Sequence, residues 1–263
     1  MKPRPLAIAF AALFTASSLF AETKPAAAPA VPAPAKPAAP AVTLPPQPPD
    51  VAAPKLGPDG GPNAGFIKAH ESFVATAREG KAELLFLGDS ITAGWGRQKE
   101  IWDKAFGAYK PANFGIGGDR TQHVLWRIEN GELEGIKPKV AVIMIGTNNS
   151  GSDPAEGIAK GVTKIVETVR AKSPKTKVLL LAVFPRGEKP ANNPGREKLA
   201  QVNSIIAKLA DGKHVFFLDI GSKFMESDGS LTKEIMPDFL HLSAKGDQIW
   251  ADAISPKPAE LMK

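Results

Sequence analysis

Three residues that together can activate a hydroxyl group stand near the two ends of the chain's globular part. Ser90 lies in the segment Gly88–Thr92 (GDSIT), and Asp238 precedes His241 by three positions. An aspartate at this spacing can fix the tautomer of the imidazole, whose other ring nitrogen can then accept a proton from a serine hydroxyl. The residue types therefore predict a nucleophilic serine, Ser90, with His241 as its base and Asp238 as the partner of that base.

Each of these residues also has a structural interpretation. Asp and Ser are good helix caps, so Ser90 alone is equally consistent with the start of a helix. Only His241 has an acid at this spacing just before a predicted helix, whereas His70, His123 and His214 are expected to be structural or solvated. No two histidines have the spacing of metal ligands, so we expect neither a metal site nor a metallohydrolase.

Two further segments follow predicted strands and carry groups that can hold an anion. In the glycine-rich segment Asn113–Arg120, a dinucleotide fingerprint would require glycine at Arg120, and no Lys-Ser/Thr pair follows as in a P-loop. The remaining interpretation is a loop that brings backbone N–H groups close to a ligand. Gly146–Asn149 places side-chain amides after another strand, where an amide can donate to a developing oxyanion. We expect no cofactor.

The elements that position these residues are short buried strands alternating with amphipathic helices. Such strands are typical of a parallel sheet covered on both faces. The predicted strands are Leu84–Leu87, Ala112–Phe114, Val140–Ile145, Val178–Val183 and Val215–Leu218. A first helix is predicted near 66–78, and Asp153-Pro154 and Asn193-Pro194 each predict a cap followed by a first-turn proline. The pattern predicts an open α/β sheet with its ligand site at the carboxyl ends of the strands.

The N-terminal part of the chain differs in composition from the rest. Residues 1–21 have the basic start, apolar stretch and small residues of a signal peptide, with cleavage expected after Ala21. Residues 22–62 are rich in Pro and Ala and predict a disordered, extended linker. Residues 63–263 form the predicted globular domain. We therefore expect an exported protein, periplasmic or extracellular, without an integral membrane segment after cleavage.

Charge and cysteine content exclude several classes of protein. The chain has no cysteine, which excludes a disulfide framework, a thiolate metal site and a cysteine nucleophile. Its formal charge is +6, and loss of Lys2 and Arg4 with the signal peptide leaves +4. No dense cluster of Lys or Arg accompanies this charge, so we expect no nucleic-acid partner.

Together these segments resemble the SGNH (GDSL-type) hydrolase superfamily, whose blocks occur in the order Ser90, Gly118, Asn148 and His241. Ile91 replaces the leucine of the usual motif. Within the superfamily the resemblance is closest to the catalytic subunits of platelet-activating-factor acetylhydrolase IB. The segments that carry it are Asn113–Arg120, His123–Arg127, Asn130–Glu134, Gly146–Asn149, Pro185–Pro190 and Asp238–Leu242. The resemblance implies a flavodoxin-like three-layer α/β/α sandwich with a five-stranded parallel sheet in the order 2-1-3-4-5.

The resemblance also implies roles for the residues and a reaction. Ser90 is the nucleophile, His241 the general base and Asp238 its partner. The backbone N–H groups of Ser90 and Gly118 and the Asn148 amide form the oxyanion hole. The implied reaction is hydrolysis of short-chain acyl esters, above all acetyl esters, and the expected export favours a small-molecule or polysaccharide substrate such as an O-acetylated carbohydrate.

Several alternatives stay open at this point. A lysophospholipase, a thioesterase or a platelet-activating-factor-type acetylhydrolase would use the same residues. From a different class, the domain could be a non-catalytic carbohydrate-binding module, since a fold alone does not establish activity. The oligomeric state is open, and a homodimer is compatible with the sequence.

Overall fold

Five parallel strands form the centre of the fold. In the computed structural model, which describes residues 45–263, they are Leu84–Gly88 (β1), Pro111–Gly115 (β2), Val140–Met144 (β3), Lys177–Leu181 (β4) and Val215–Leu218 (β5). Their spatial order is β2-β1-β3-β4-β5, and every neighbouring pair is parallel. The predicted fold class and strand order are confirmed.

The central strands were predicted from their burial, whereas the end of β4 was not. Every residue of β1 and β3 is buried, as expected for central strands covered on both faces. β4 ends two residues earlier than predicted, because the backbone N–H and C=O of Val183 bond to the side chain of Asn203 instead of a neighbouring strand. The apolar run therefore continues past the last paired residue.

Helices cover both faces of the sheet and complete a three-layer sandwich. One face packs against Ala64–Arg78 (α1), Thr121–Arg127 (α4), Ala155–Lys172 (α5) and Pro194–Ile206 (α6). The other face packs against Ser90–Ala93 (α2), Lys99–Phe106 (α3), Ala244–Ile254 (α7) and Pro256–Leu261 (α8). Within residues 45–263, no helix is both long and apolar enough to cross a membrane.

The two predicted helix starts have different outcomes. Asn193 caps α6 through its side-chain oxygen, which accepts the N–H of Arg196 at 3.0 Å, and Pro194 is the first helical residue. At α5 the prediction is wrong by one residue, because Pro154 itself occupies the cap position. The Asp153 carboxylate instead accepts a hydrogen bond from Asn149 at 3.0 Å. The Asp153 carboxylate thus binds a loop residue and does not cap α5 as predicted.

The linker prediction is wrong for residues 45–62, which pack along the domain instead of extending away from it. The hydroxyl of Thr121 donates to the Pro49 carbonyl at 2.8 Å, and the side-chain amide of Gln122 donates to the Gln47 carbonyl at 3.1 Å. Proline lacks a backbone N–H, but the carbonyl groups of a proline-rich segment still accept hydrogen bonds. The signal peptide (1–21) and the first part of the linker (22–44) lie outside the described residues.

The parallel pairing places the carboxyl ends of β1, β2 and β3 side by side at one edge of the sheet. Gly88 at the end of β1 is in register with Gly115 of β2 on one side and Met144 of β3 on the other. The strand order reverses direction between β1 and β3, which is where ligands bind in open α/β sheets. The loops after β1, β2 and β3 carry the residues that the sequence singled out.

Candidate active site

Ser90 is presented by a sharp turn directly after β1. A Cβ on Gly88 would lie 2.6 Å from the Met144 carbonyl oxygen, so only glycine fits at the end of this strand. Asp89 caps α2 by accepting the N–H of Ile91 at 2.9 Å, and burial raises the pKa of Asp89 to about 7. Because Asp89 is the cap, the Ser90 hydroxyl is not needed to start the helix.

Asp238 and His241 lie on a turn that precedes α7, and local contacts fix both side chains. One Asp238 oxygen accepts the backbone N–H of His241 at 2.7 Å, and the other lies 2.6 Å from Nδ1 of the His241 ring. Phe239 between them has a φ of +56°, which is strained for a residue with a side chain. Its carbonyl accepts the backbone N–H of Gly187 at 2.8 Å, which ties the turn to the loop after β4.

The serine and the histidine meet across the top of the sheet. Nε2 of His241 lies 2.9 Å from Oγ of Ser90, although the two residues are 151 positions apart. The side chains of His241 and Asp238 are 36% and 56% exposed, so solvent reaches this part of the site. The three predicted residues therefore form one hydrogen-bonded series from hydroxyl to imidazole to carboxylate.

Asp238 is negatively charged, which suits the position of the His241 ring between this carboxylate and Ser90. Partial burial alone would raise the pKa of Asp238, but hydrogen bonds from the His241 ring, the His241 backbone and Leu240 outweigh it and lower the pKa below its ordinary value. Asp238 is therefore ionised at neutral pH. An ionised carboxylate holds the proton of the imidazole on Nδ1 and leaves Nε2 to accept a proton from Ser90.

The loops that follow β1, β2 and β3 each carry a group that can donate a hydrogen bond to a ligand. Gly118 has a φ of +72°, a conformation that favours glycine. Within residues 45–263, the backbone N–H groups of Ser90 and Gly118 donate to no other group. The Asn148 amide donates one hydrogen to the carbonyl of Asp119, the residue after Gly118, at 2.8 Å, and its second hydrogen can be directed at a ligand. The predicted oxyanion donors thus lie on neighbouring loops and can bind a developing negative charge.

A buried arginine, Arg127, links these loops to the strands. The sequence analysis assigned it no role. Arg127 of α4 is fully buried and donates to Asp119 at 2.9 Å and to Glu132 at 2.5 Å. It also donates to the carbonyls of Gly88 at 3.3 Å and Phe114 at 3.0 Å, which lie in β1 and β2. Burial favours a lower pKa for Arg127, but the two carboxylates outweigh it and raise the pKa, so the guanidinium stays charged.

Asn149 has no predicted role of its own beyond its place in the segment Gly146–Asn149. In the structure its side chain contacts the start of α4. Its side-chain oxygen accepts the backbone N–H of Thr121 at 3.0 Å, and its amide donates to Gln122 at 3.1 Å. Asn148 and Asn149 therefore hold the glycine loop at two successive points. Contacts of this kind join separate loops and leave no periodic signal in the sequence.

The other three histidines lie away from Ser90 in structural surroundings, as expected. His70 is buried in α1 with Nδ1 3.1 Å from Glu132. His123 lies in α4, and its Nδ1 accepts the backbone N–H of Arg120 at 3.1 Å. His214 precedes β5, and its backbone N–H donates to Asp211 at 2.7 Å.

The arrangement of serine, imidazole, carboxylate and oxyanion donors matches the requirements of acyl transfer, and comparison with known proteins agrees. A model described as the GDSL-like Lipase/Acylhydrolase family matches residues 86–249, more than half of the chain. The chain belongs to this family. The predicted SGNH/GDSL-type carboxylic ester hydrolase is confirmed at this level.

Individual relatives of this GDSL-like hydrolase support the assignment. Platelet-activating factor acetylhydrolase IB subunit alpha1 of Homo sapiens is 44% identical over 182 residues, which cover 69% of this chain and 77% of that protein. A GDSL-like lipase from Bacteroides thetaiotaomicron has a TM-score of 0.61 at 21% identity and covers 74% of this chain and 97% of its own. A carbohydrate acetylesterase from Sinorhizobium meliloti has a TM-score of 0.55 at 23% identity and covers 69% and 100%. The two solved structures share the fold.

Removing the buried guanidinium should destabilise the whole domain. We expect Arg127→Met to lower the free energy of unfolding by about 3–5 kcal/mol, because Asp119 and Glu132 would be left buried without their cation. Urea denaturation at pH 7 measures this change. The control Arg78→Met removes an exposed arginine and should change stability by less than about 0.5 kcal/mol. Adding Glu132→Gln to Arg127→Met should recover part of the loss. A loss below about 1 kcal/mol for Arg127→Met would contradict the conclusion that this guanidinium stabilises the domain.

Proposed function

We propose that Ser90, His241 and Asp238 act as a catalytic triad in the hydrolysis of short-chain acyl esters, above all acetyl esters. The observation that carries the proposal is the 2.9 Å contact between Oγ of Ser90 and Nε2 of His241, with the opposite ring nitrogen on an ionised carboxylate. This is the arrangement that a serine needs to lose its proton as it attacks a carbonyl carbon.

In the first half of the proposed reaction, Oγ of Ser90 attacks the ester carbonyl carbon and its proton passes to Nε2 of His241. The carbonyl oxygen becomes an oxyanion that accepts hydrogen bonds from the Ser90 and Gly118 N–H groups and the Asn148 amide. The tetrahedral intermediate then collapses. The bond to the alcohol oxygen breaks, and the alcohol leaves with the proton from His241.

In the second half, water releases the acyl group from Ser90. His241 takes a proton from the attacking water, and the same donors hold the second oxyanion. Collapse of this intermediate breaks the bond to Oγ, which regains a proton from His241. Asp238 stays ionised throughout and stabilises the imidazolium in both halves. The reaction requires no cofactor or metal ion.

We propose an O-acetylated carbohydrate as the substrate and export as the route of the chain out of the cytoplasm. The signal-like residues 1–21 and the Pro/Ala-rich residues that follow support export, which would bring the enzyme to polysaccharides. The solvent-exposed Asp238–His241 turn supports a bulky alcohol part, because a polymer can approach an open site.

A second candidate is an acetylated phospholipid. The relative that is 44% identical to this chain is a subunit of a platelet-activating factor acetylhydrolase, an enzyme named for removing an acetyl group. Both candidates share the acetyl group and differ in the alcohol. Chemistry at Ser90 is the same for both.

The role of Ser90 can be tested directly. We expect Ser90→Ala to lower kcat for p-nitrophenyl acetate by about 10³-fold or more and to abolish labelling by a fluorophosphonate probe, because the attacking oxygen is gone. Circular dichroism should be unchanged. The control Ser72→Ala removes an exposed hydroxyl from α1 and should keep full activity and labelling. Unchanged hydrolysis by Ser90→Ala would refute the proposed mechanism.

The role of Asn148 has a different signature. We expect Asn148→Ala to lower kcat about 10²–10³-fold with little change in KM, because the amide would bind the oxyanion more strongly than the carbonyl oxygen. Asn130→Ala, which removes an exposed amide, serves as the control. Steady-state kinetics on p-nitrophenyl acetate measure both parameters. If KM rises and kcat is retained, Asn148 binds the ground state and has no special part in the transition state.

The acyl and alcohol preferences can be measured separately. On p-nitrophenyl esters from acetyl to decanoyl, we expect kcat/KM to fall steeply beyond butyryl, because an acetylesterase has little room for a longer chain. Acetate release from acetylated xylan should exceed release from an acetylated ether phospholipid at equal acetyl concentration. Faster release from the phospholipid would favour the second candidate, and activity that rises with chain length would exclude both.

A further inference from the structure

The docked N-terminal segment forms one wall of a cavity beside the proposed oxyanion site. The cavity has a volume of about 580 Å³, and its lining includes Gln47, Pro48 and Lys55 of the segment together with Gly118 and Arg120 of the glycine loop. Residues 45–62 precede the range 86–249 that matches the family. The cavity therefore lies between a loop inside the range that matches the family and a segment outside that range.

Two cationic side chains line this cavity. The ammonium of Lys55 donates to the carbonyl of Gly117 at 2.5 Å, and a Cβ on Gly118 would lie 2.8 Å from it. One of its three N–H donors is used in this contact, so two remain for a ligand. Within residues 45–263, neither Lys55 nor Arg120 forms an ion pair, and the Arg120 guanidinium donates to no other side chain. Both charges are therefore available to a bound group.

The other titratable groups around the cavity do not cancel this positive charge. Among the lining residues that the structure describes, Asp153 is the only acid, and Asn149 and Ser152 each donate to its carboxylate at 3.0 Å. Burial first, and then the charges of Lys55, Arg120 and Arg127, lower the pKa of His123 to about 3, so its ring is neutral. Asp119, buried next to Gly118, is a second carboxyl near the cavity: burial raises its pKa to about 6 against the charges of Arg127 and Lys55, and one of its oxygens pairs with Arg127. Lys55 and Arg120 therefore face two carboxyl groups that other residues already bind.

We propose that this cavity is a subsite for an anionic group, a carboxylate or a phosphate, on the alcohol part of the ester substrate. The inference rests on the proposed function, because an acetyl group is too small to carry an anion of its own. With the acetyl carbonyl beside Gly118, an anion on the alcohol lies within reach of Lys55 and Arg120. The proposal narrows the substrate to acidic sugars or sugar phosphates among acetylated carbohydrates.

The test compares two esters that differ in one charge. An O-acetylated methyl glucuronoside carries the carboxylate, and its methyl ester is the neutral partner. We expect the wild-type kcat/KM to favour the charged ester by about tenfold or more, the discrimination that one charge-assisted hydrogen bond provides. Added salt should reduce this ratio because it screens the two cations. An O-acetylated hexose phosphate forms a third arm that distinguishes phosphate from carboxylate.

Variants of Lys55 and Arg120 test whether the preference for the charged ester arises in this cavity. Lys55→Gln and Arg120→Gln should each lower the charged-to-neutral ratio several-fold, and Lys55→Arg should retain it. The ratio is independent of any general loss of active enzyme, so a poorly folded variant still gives a valid result. The control Lys172→Gln removes an exposed lysine at the end of α5 and should leave the ratio unchanged.

The outcomes separate this inference from the proposed function. If the wild type hydrolyses neither ester, the proposed function fails and the subsite fails with it. If it hydrolyses both esters at equal kcat/KM, the esterase stands and the subsite is refuted. A wild-type preference that survives Lys55→Gln and Arg120→Gln together would also refute the subsite, because the preference would then arise elsewhere.

Discussion

The buried guanidinium of Arg127 is the group on which the geometry of the site depends. It contacts the carbonyl ends of β1 and β2 and the carboxylates of Asp119 and Glu132, so one cation links two strands, the glycine loop and the turn after α4. A charge without access to water is tolerated only when all of its partners stay in place. The glycine loop is irregular, yet this requirement fixes its position relative to Ser90. The proposed oxyanion donors of this loop are therefore oriented before a substrate binds.

The two halves of the site are supported in different ways. The glycine loop is held by buried charges and by the amides of Asn148 and Asn149, which solvent screens little. The Asp238–His241 turn is exposed and is held by short local hydrogen bonds and by one contact with Gly187. In the proposed mechanism, negative charge develops beside the glycine loop, whereas the alcohol takes its proton from His241 on the exposed half. The exposed half leaves room for a bulky alcohol part to enter and leave, and the proposed anion subsite would hold one group of that alcohol beside the glycine loop.

The sequence predicted the sheet and the central residues because each carries a local signal. Apolar runs identify strands that are buried on both faces, and the Asp238–His241 spacing identifies a carboxylate beside an imidazole. The contacts of Lys55 and Arg127 carry no such signal. Lys55 reaches Gly117 across 62 positions, and Arg127 reaches Gly88 across 39. Composition also misled at residues 45–62, because a segment that cannot build a core of its own can still dock on an existing one through its carbonyl groups.

The distance along the chain between Ser90 and His241 has a consequence for folding. The two residues are 151 positions apart, so their contact requires both the end of β1 and the turn before α7 to be in place. Closing so long a loop is among the slower steps that topology imposes on a chain. Partly folded molecules can contain most of the secondary structure and still lack the hydroxyl–imidazole contact. Under the proposed mechanism, turnover of a chromogenic ester would report complete folding more stringently than any measure of helix content.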